Sequence, residues 1–115
     1  MNDEEEGDSE VIAQCLRAAA DGPFFPDWEF TILFGFERDE VRRIAECWPN
    51  WGDEAEQARA VDAAMNNLLC YPHNRWDRWH NHISPVPPDV ARVYARWRGE
   101  NDLDTSGRGY FDRLT

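Results

Sequence analysis

FFPDWEFTILFGF, from Phe24 to Phe36, is the most apolar stretch of the chain, and its reading decides the fold class. Its β-branched and aromatic residues permit a buried strand. Phe30, Leu33 and Phe34, however, share one face at spacings of three and four, the helical interval. Pro26 can open a helix at Asp27, and Gly35 can stop it. The stretch therefore predicts a short helix from about Asp27 to Phe34, with a strand as the alternative that would change the class.

The flanks repeat the helical period. Upstream, Val11, Ile12, Cys15, Leu16 and Ala19 form one stripe. Ser9 is its predicted N-cap, and Gly22 with Pro23 is its stop, the glycine suited to a left-handed cap. Downstream, Val41, Ile44, Ala45 and Trp48 recur at i, i+3, i+4 and i+7 behind Glu37 and Glu40, which have the offset of a capping box. Asp53 and Glu56 form a better box, opening a helix that runs to about Tyr71 and turns Ala58, Val61, Met65, Leu68 and Leu69 inward. Pro88 to Arg98 is the last predicted helix, with Val90, Val93, Tyr94 and Trp97 on its stripe and Gly99 as C-cap. Between them, residues 72–88 have no clean period and carry four prolines, with room for a short helical turn bearing Trp76 and Trp79.

The predicted fold is all-α: a single compact irregular bundle of about five helices over residues 9–99. Residues 1–8 read as an acidic, disordered leader and residues 100–115 as a loose C-terminal tail with Tyr110, Phe111 and Leu114 as anchors. At 115 residues the chain is long enough to bury a core without disulfides or metals.

The formal charge is −11, and six of the acids fall within the first ten residues. Without those six the balance is 17 acids against 12 bases, or −5, so the body is mildly acidic. Such a surface repels phosphate backbones and attracts basic proteins. Nucleic acid is therefore excluded as a partner, and a basic protein is the partner class that charge favours. The same charge also serves solubility alone. No apolar run approaches the length of a membrane span. An acidic N-terminus is not a secretory signal, and three widely spaced cysteines, Cys15, Cys47 and Cys70, suit free buried thiols in a reduced cytoplasm.

Chemistry is sparse. Cys70, His73, Asp77, His80 and His82 have the offsets of soft-metal ligands, and Cys70, His73, His80 and His82 make a metal-binding module or metal-dependent enzyme the alternative reading. No second Cys-x-x-Cys or Cys-x-x-His pair closes the set. No cysteine sits in a nucleophile motif. Asp27 and Glu29 lie between aromatic residues, which can raise a carboxyl pKa, but as helix-terminal acids they need no catalytic role. No phosphate loop is present and no cofactor is implied.

Arg and Trp are the residue types that dominate protein interfaces. Arg75, Trp76, Arg78 and Trp79 stand together, and Trp51 lies in a turn. These five are the candidate partner-binding residues, weighed against the plainer reading that the tryptophans fill the core.

FFPDWEFTILFGFERDEVRRIAECWPNW, followed by NNLLCYPHNRWDRW, resembles small acidic bacterial proteins of toxin–immunity neighbourhoods, as a pattern over roughly residues 11–98. The resemblance carries no catalytic residue. It implies a non-enzymatic protein that blocks a cognate partner.

Overall fold

A computed structural model describes residues 3–100. Five α-helices follow one another: α1 (Asp3–Asp21), α2 (Asp27–Phe34), α3 (Arg38–Cys47), α4 (Glu54–Cys70) and α5 (Pro87–Glu100). A 3₁₀ segment, Trp76–Asn81, interrupts the link between α4 and α5. No strand occurs among the described residues. The segment that decides the class is helical with the predicted bounds. Gly35 closes α2 at φ 73°, donating its N–H to the Thr31 carbonyl at 2.8 Å, a conformation that glycine adopts without strain. Phe30 and Phe34, four residues apart, stack with ring centroids 4.2 Å from each other and point inward.

α1 is the centre of the bundle and packs on α3, α4 and α5; α2 closes one side against α4 and α3. A Cα radius of gyration of 13.6 Å is that of a compact domain, since about 13 Å is expected for 100 residues. The core joins Cys15, Leu16 and Phe24 to Ile44, Val61, Met65, Leu68, Trp79 and Val90. α4 turns Ala60 and Ala64 fully inward and leaves Ala58 and Leu69 only partly covered, a shift of the predicted face. Ala18, Ala19 and Ala20 on α1 and Ala60 and Ala64 on α4 are all fully buried, and small residues of this kind allow packed helices to approach closely. Beyond α1, Gly22 serves by smallness and not by a left-handed cap. A Cβ there would stand 2.6 Å from the Ala18 carbonyl and 2.9 Å from the Phe24 ring.

Both capping offsets are used. Glu37 and Glu40 form a full reciprocal box, and Asp53 accepts from the Glu56 N–H at 3.0 Å. α5 runs past Gly99, which lies inside the helix and not at its cap. Two further expectations are corrected. Only Cys15 is buried; Cys47 and Cys70 are exposed at the ends of α3 and α4. α1 begins at Asp3, so residues 3–8 form its first turns. Glu is a good helix former and acids suit the positive end of a helix, which lets the helix run through this run of acids. Ser9 does not cap the helix but anchors α3, since its carbonyl and hydroxyl accept the Trp48 indole N–H, each at 3.1 Å. Residues 1, 2 and 101–115, which include most of the predicted tail, lie outside the described residues.

Asp8 ties the first helix to the last. Both its carboxylate oxygens accept from Arg96, at 2.7 and 2.8 Å, and the Asp8 side chain is only 16% exposed. Fully solvated surface pairs contribute at most about 1 kcal/mol, and bidentate geometry with one shielded partner puts this one at the upper end. Asp8→Asn is expected to cost about 1 kcal/mol in chemical unfolding, whereas a solvated leader would make the change silent.

Candidate partner-binding site

Tyr71 leaves α4 in extended backbone, the His73 N–H closes a tight turn over Pro72 onto the Tyr71 carbonyl at 2.8 Å, and the chain turns again at Asn74, which has φ 58°. Asn tolerates this left-handed region better than most residues. The turn brings the Arg75 N–H onto His73 Nδ1 at 2.9 Å, while His73 Nε2 faces the Leu68 carbonyl at 3.0 Å. One backbone group donates and the other accepts. The ring is therefore the neutral tautomer with its proton on Nε2. His73 is buried against Phe24 and Phe25.

The 3₁₀ segment that follows has three residues per turn, so side chains at i and i+3 eclipse. Trp79 therefore lies under Trp76, ring centroids 5.4 Å apart. Trp79 points into the core, fully buried, and its indole N–H donates to the Pro85 carbonyl at 2.7 Å. Trp76 lies further out along the same stack and is 47% exposed, its inner face braced on His73 at 4.5 Å. Arg75 and Arg78, also three apart, are both exposed in the same segment, with the exposed Asp77 carboxylate 3.6 Å from the Arg78 guanidinium. Next to this ledge a cleft of about 280 Å³ opens between the Pro23–Pro26 loop and the Tyr71–Arg75 segment.

Of the five candidate residues, Arg75, Trp76 and Arg78 share one exposed ledge. Trp79 is a core residue and leaves the set. Trp51 is held elsewhere: its backbone N–H donates to Gln57 Oε1 and its indole N–H to Glu56 Oε1, both at 3.0 Å, so it is tied to the start of α4. The residue that sequence reading misplaced is His73, which supports Trp76. Cys-x-x-His spacing gave it the look of a metal ligand, and nothing in the sequence distinguishes the two uses.

The metal set does not assemble. Both His73 nitrogens face backbone groups, His80 Nδ1 faces the Ile83 carbonyl at 3.2 Å, and Cys70 is exposed at the end of α4. Among the described residues no group of three or more His, Cys, Asp or Glu side chains could hold a metal ion. Burial pushes the Cys15 thiol up to about 12, away from a reactive thiolate. Pro26, not Asp27, is the N-cap of α2; Asp27 pairs with Arg38 at 2.9 Å, and Glu29 accepts from the Tyr71 hydroxyl at 2.9 Å, which with burial raises the phenol. No helix of the described residues is long and apolar enough to cross a membrane.

Burial, aided by the Arg75 charge, holds the His73 imidazole below its ordinary value of 6.5, and the bond to Leu68 opposes this only in part. The unfolded chain therefore takes up this proton first. The stability that neutral His73 supplies is complete above about pH 6.5 and is lost as pH falls from there through the lower value of the folded state. In His73→Gln, which cannot take the charge, the urea midpoint is expected to fall less between about pH 7 and pH 5 than in the unaltered chain. Equal slopes would place the acid sensitivity elsewhere.

The fold and ledge define a small all-α protein with an aromatic–arginine surface. No family model, no curated protein and no solved structure matches the chain.

Proposed function

We propose that the chain is a non-enzymatic protein-binding protein of the inhibitory, immunity-like kind, acting in the cytoplasm on a basic protein partner. The observation that carries the reading is the braced Trp76. Its outer half is exposed, its inner face rests on His73 and Trp79, and Arg75 and Arg78 are exposed in the same segment. A tryptophan fixed before binding loses little entropy on contact, which is how a hot-spot residue gains its weight. The arginines supply planar donors for carboxylates or carbonyls at the centre of such a contact. The charge of −11 supplies the longer-range attraction to a basic protein and accelerates encounter at low salt.

Affinity capture from cells of the source organism, with the unaltered chain and with Trp76→Ala, tests the reading. A basic protein should be retained, its complex should weaken with salt, and Trp76→Ala should loosen it by about tenfold or more while the melting temperature stays within a few degrees. Capture that is indifferent to both Trp76 and salt would sink it.

A further inference from the structure

We propose that the outer ridge of α2, formed by Trp28 and Ile32, is a second docking surface whose occupant is a basic amphipathic helix of a protein partner. This rests on the protein-binding reading but not on the Trp76 ledge. α2 is apolar on two opposite sides. Phe30 and Phe34 face the core, while Trp28 is 75% and Ile32 80% exposed. Residues four apart stand one above the other on a helix face, so these two form a continuous ridge and not scattered single exposures. A surface helix of a globular domain ordinarily keeps a single apolar stripe, which faces the core, and polar residues opposite it. One side of α2 has its interior in this chain, and the other needs a second surface to provide it.

The flanks of the ridge select the occupant. On one flank a depression of about 300 Å³ is lined by Asp27, Phe30, Thr31, Glu37, Arg38 and Asp39. The Asp27 and Asp39 side chains are 94% and 76% exposed, and Glu37 is exposed as well. Arg38, the cation in that lining, donates to the carbonyls of Ala20 and Phe25 and pairs with Asp27 at 2.9 Å, and Asp39 pairs with Arg42, so the three acids outnumber their two cations by one and the flank stays acidic. On the other flank stands Glu29, joined to Tyr71. An apolar ridge with acids on both flanks is complementary to an apolar stripe with Lys or Arg on both flanks. Two side chains one turn apart also match the ridge-and-groove spacing of a packing helix. A second copy of this chain fits worse: a twofold contact places the same acidic flanks against each other, on bodies that each carry −11.

The test uses the full chain and a fluorescently labelled synthetic amphipathic peptide of Leu and Lys, with a Leu and Glu peptide of the same pattern as control. Binding is read by anisotropy. The Leu–Lys peptide should bind the unaltered chain, and Trp28→Ala/Ile32→Ala, which leaves every charge in place, should weaken it by about tenfold or more with superimposable thermal melts. No binding, equal binding by both proteins, or equal binding of the Leu–Glu peptide would overturn the proposal. So would a dimer of the free chain that the double variant abolishes, which makes a second copy the occupant. So would a Trp28 quenched by iodide only after residues 101–115 are removed, which makes that segment the occupant. Trp76→Ala should bind the peptide as the unaltered chain does, so failure at α2 and failure of the Trp76 reading are seen separately.

Discussion

Arg38→Ala is expected to lower the unfolding free energy by about 3 kcal/mol, although Arg38 belongs to neither the core nor the ledge. The last carbonyls of a helix have no partner within it, and cations are favoured at that end. α1 has no basic residue in its last turn. Arg38 comes from the start of α3 to fill the role. One guanidinium nitrogen reaches the carbonyls of Ala20 and Ala19 at 3.0 and 3.4 Å; the other reaches the Phe25 carbonyl at 2.8 Å and Asp27 at 2.9 Å. The guanidinium also sits 4.5 Å from the centre of the Phe30 ring. One side chain thus joins the end of α1, the link after it and the start of α2 to the start of α3. A hydrogen bond to a charged group contributes about 1.5–3 kcal/mol, and sharing one cation among several acceptors keeps the total near 3 rather than a multiple of it. Arg38→Lys should recover little, because an ammonium cannot span these acceptors in one plane. Asp27→Ala should cost under about 1 kcal/mol, since the Asp27 side chain stands in water. Urea midpoints rank the three. An Asp27→Ala loss equal to that of Arg38→Ala would show that the ion pair, and not the carbonyls, carries the effect.

That role was not legible in the sequence, and the reason is distance. The stripes Val41–Ile44–Ala45 and Val90–Val93–Trp97, the start at Pro26, the stop at Gly35 and the two capping offsets are local patterns, and local patterns fix the helices of this chain. Arg38 acts across 13 to 19 residues on backbone groups, which have no sequence signature. Ser9 shows the same limit from the other side. Its residue type suits an N-cap, but Trp48, 39 residues away, takes its oxygens, and the helix runs on through it. The full burial of Ala60 and Ala64 on α4 was hidden because hydrophobic size, by which an inner face is usually chosen, points to Leu69 before Ala64. At the ledge, proximity of Arg75, Trp76 and Arg78 could be read directly. Which tryptophan faces outward could not, since a period of three and not 3.6 decides it. Trp28 and Ile32 were visible in principle: a helix with apolar residues on opposite sides cannot bury both in a chain of this size. The apolar character of the stretch drew attention to the core instead.

The surface then divides by chemistry. The Trp76 ledge carries Arg75 and an Arg78–Asp77 pair on an acidic body, while the Trp28–Ile32 ridge carries acids on both flanks. Tyr71 lies between the two regions, lining the cleft beside Arg75 and donating to Glu29 on α2.

Trp79→Ala should be the most damaging single change, at about 3–5 kcal/mol, the range for truncating a buried Trp or Phe to Ala. Trp79 packs against Phe24 at 6.2 Å and under Trp76, and it satisfies the Pro85 carbonyl just before α5. Its loss therefore opens a cavity and leaves a carbonyl unpaired, and total stabilities of domains this size are only about 5–15 kcal/mol. A fall in melting temperature of more than about 10 °C follows. Trp79→Phe should retain part of the packing and none of the bond to Pro85, falling between the two. Trp76→Ala, three residues earlier in the same Arg-Trp-Asp-Arg-Trp run, removes a half-exposed ring and should move the melt by only a few degrees. The paired melts separate core from surface within one motif. If Trp79→Ala melts with the unaltered chain, the 3₁₀ stacking order is reversed, and Trp79 returns to the partner-binding set in place of Trp76.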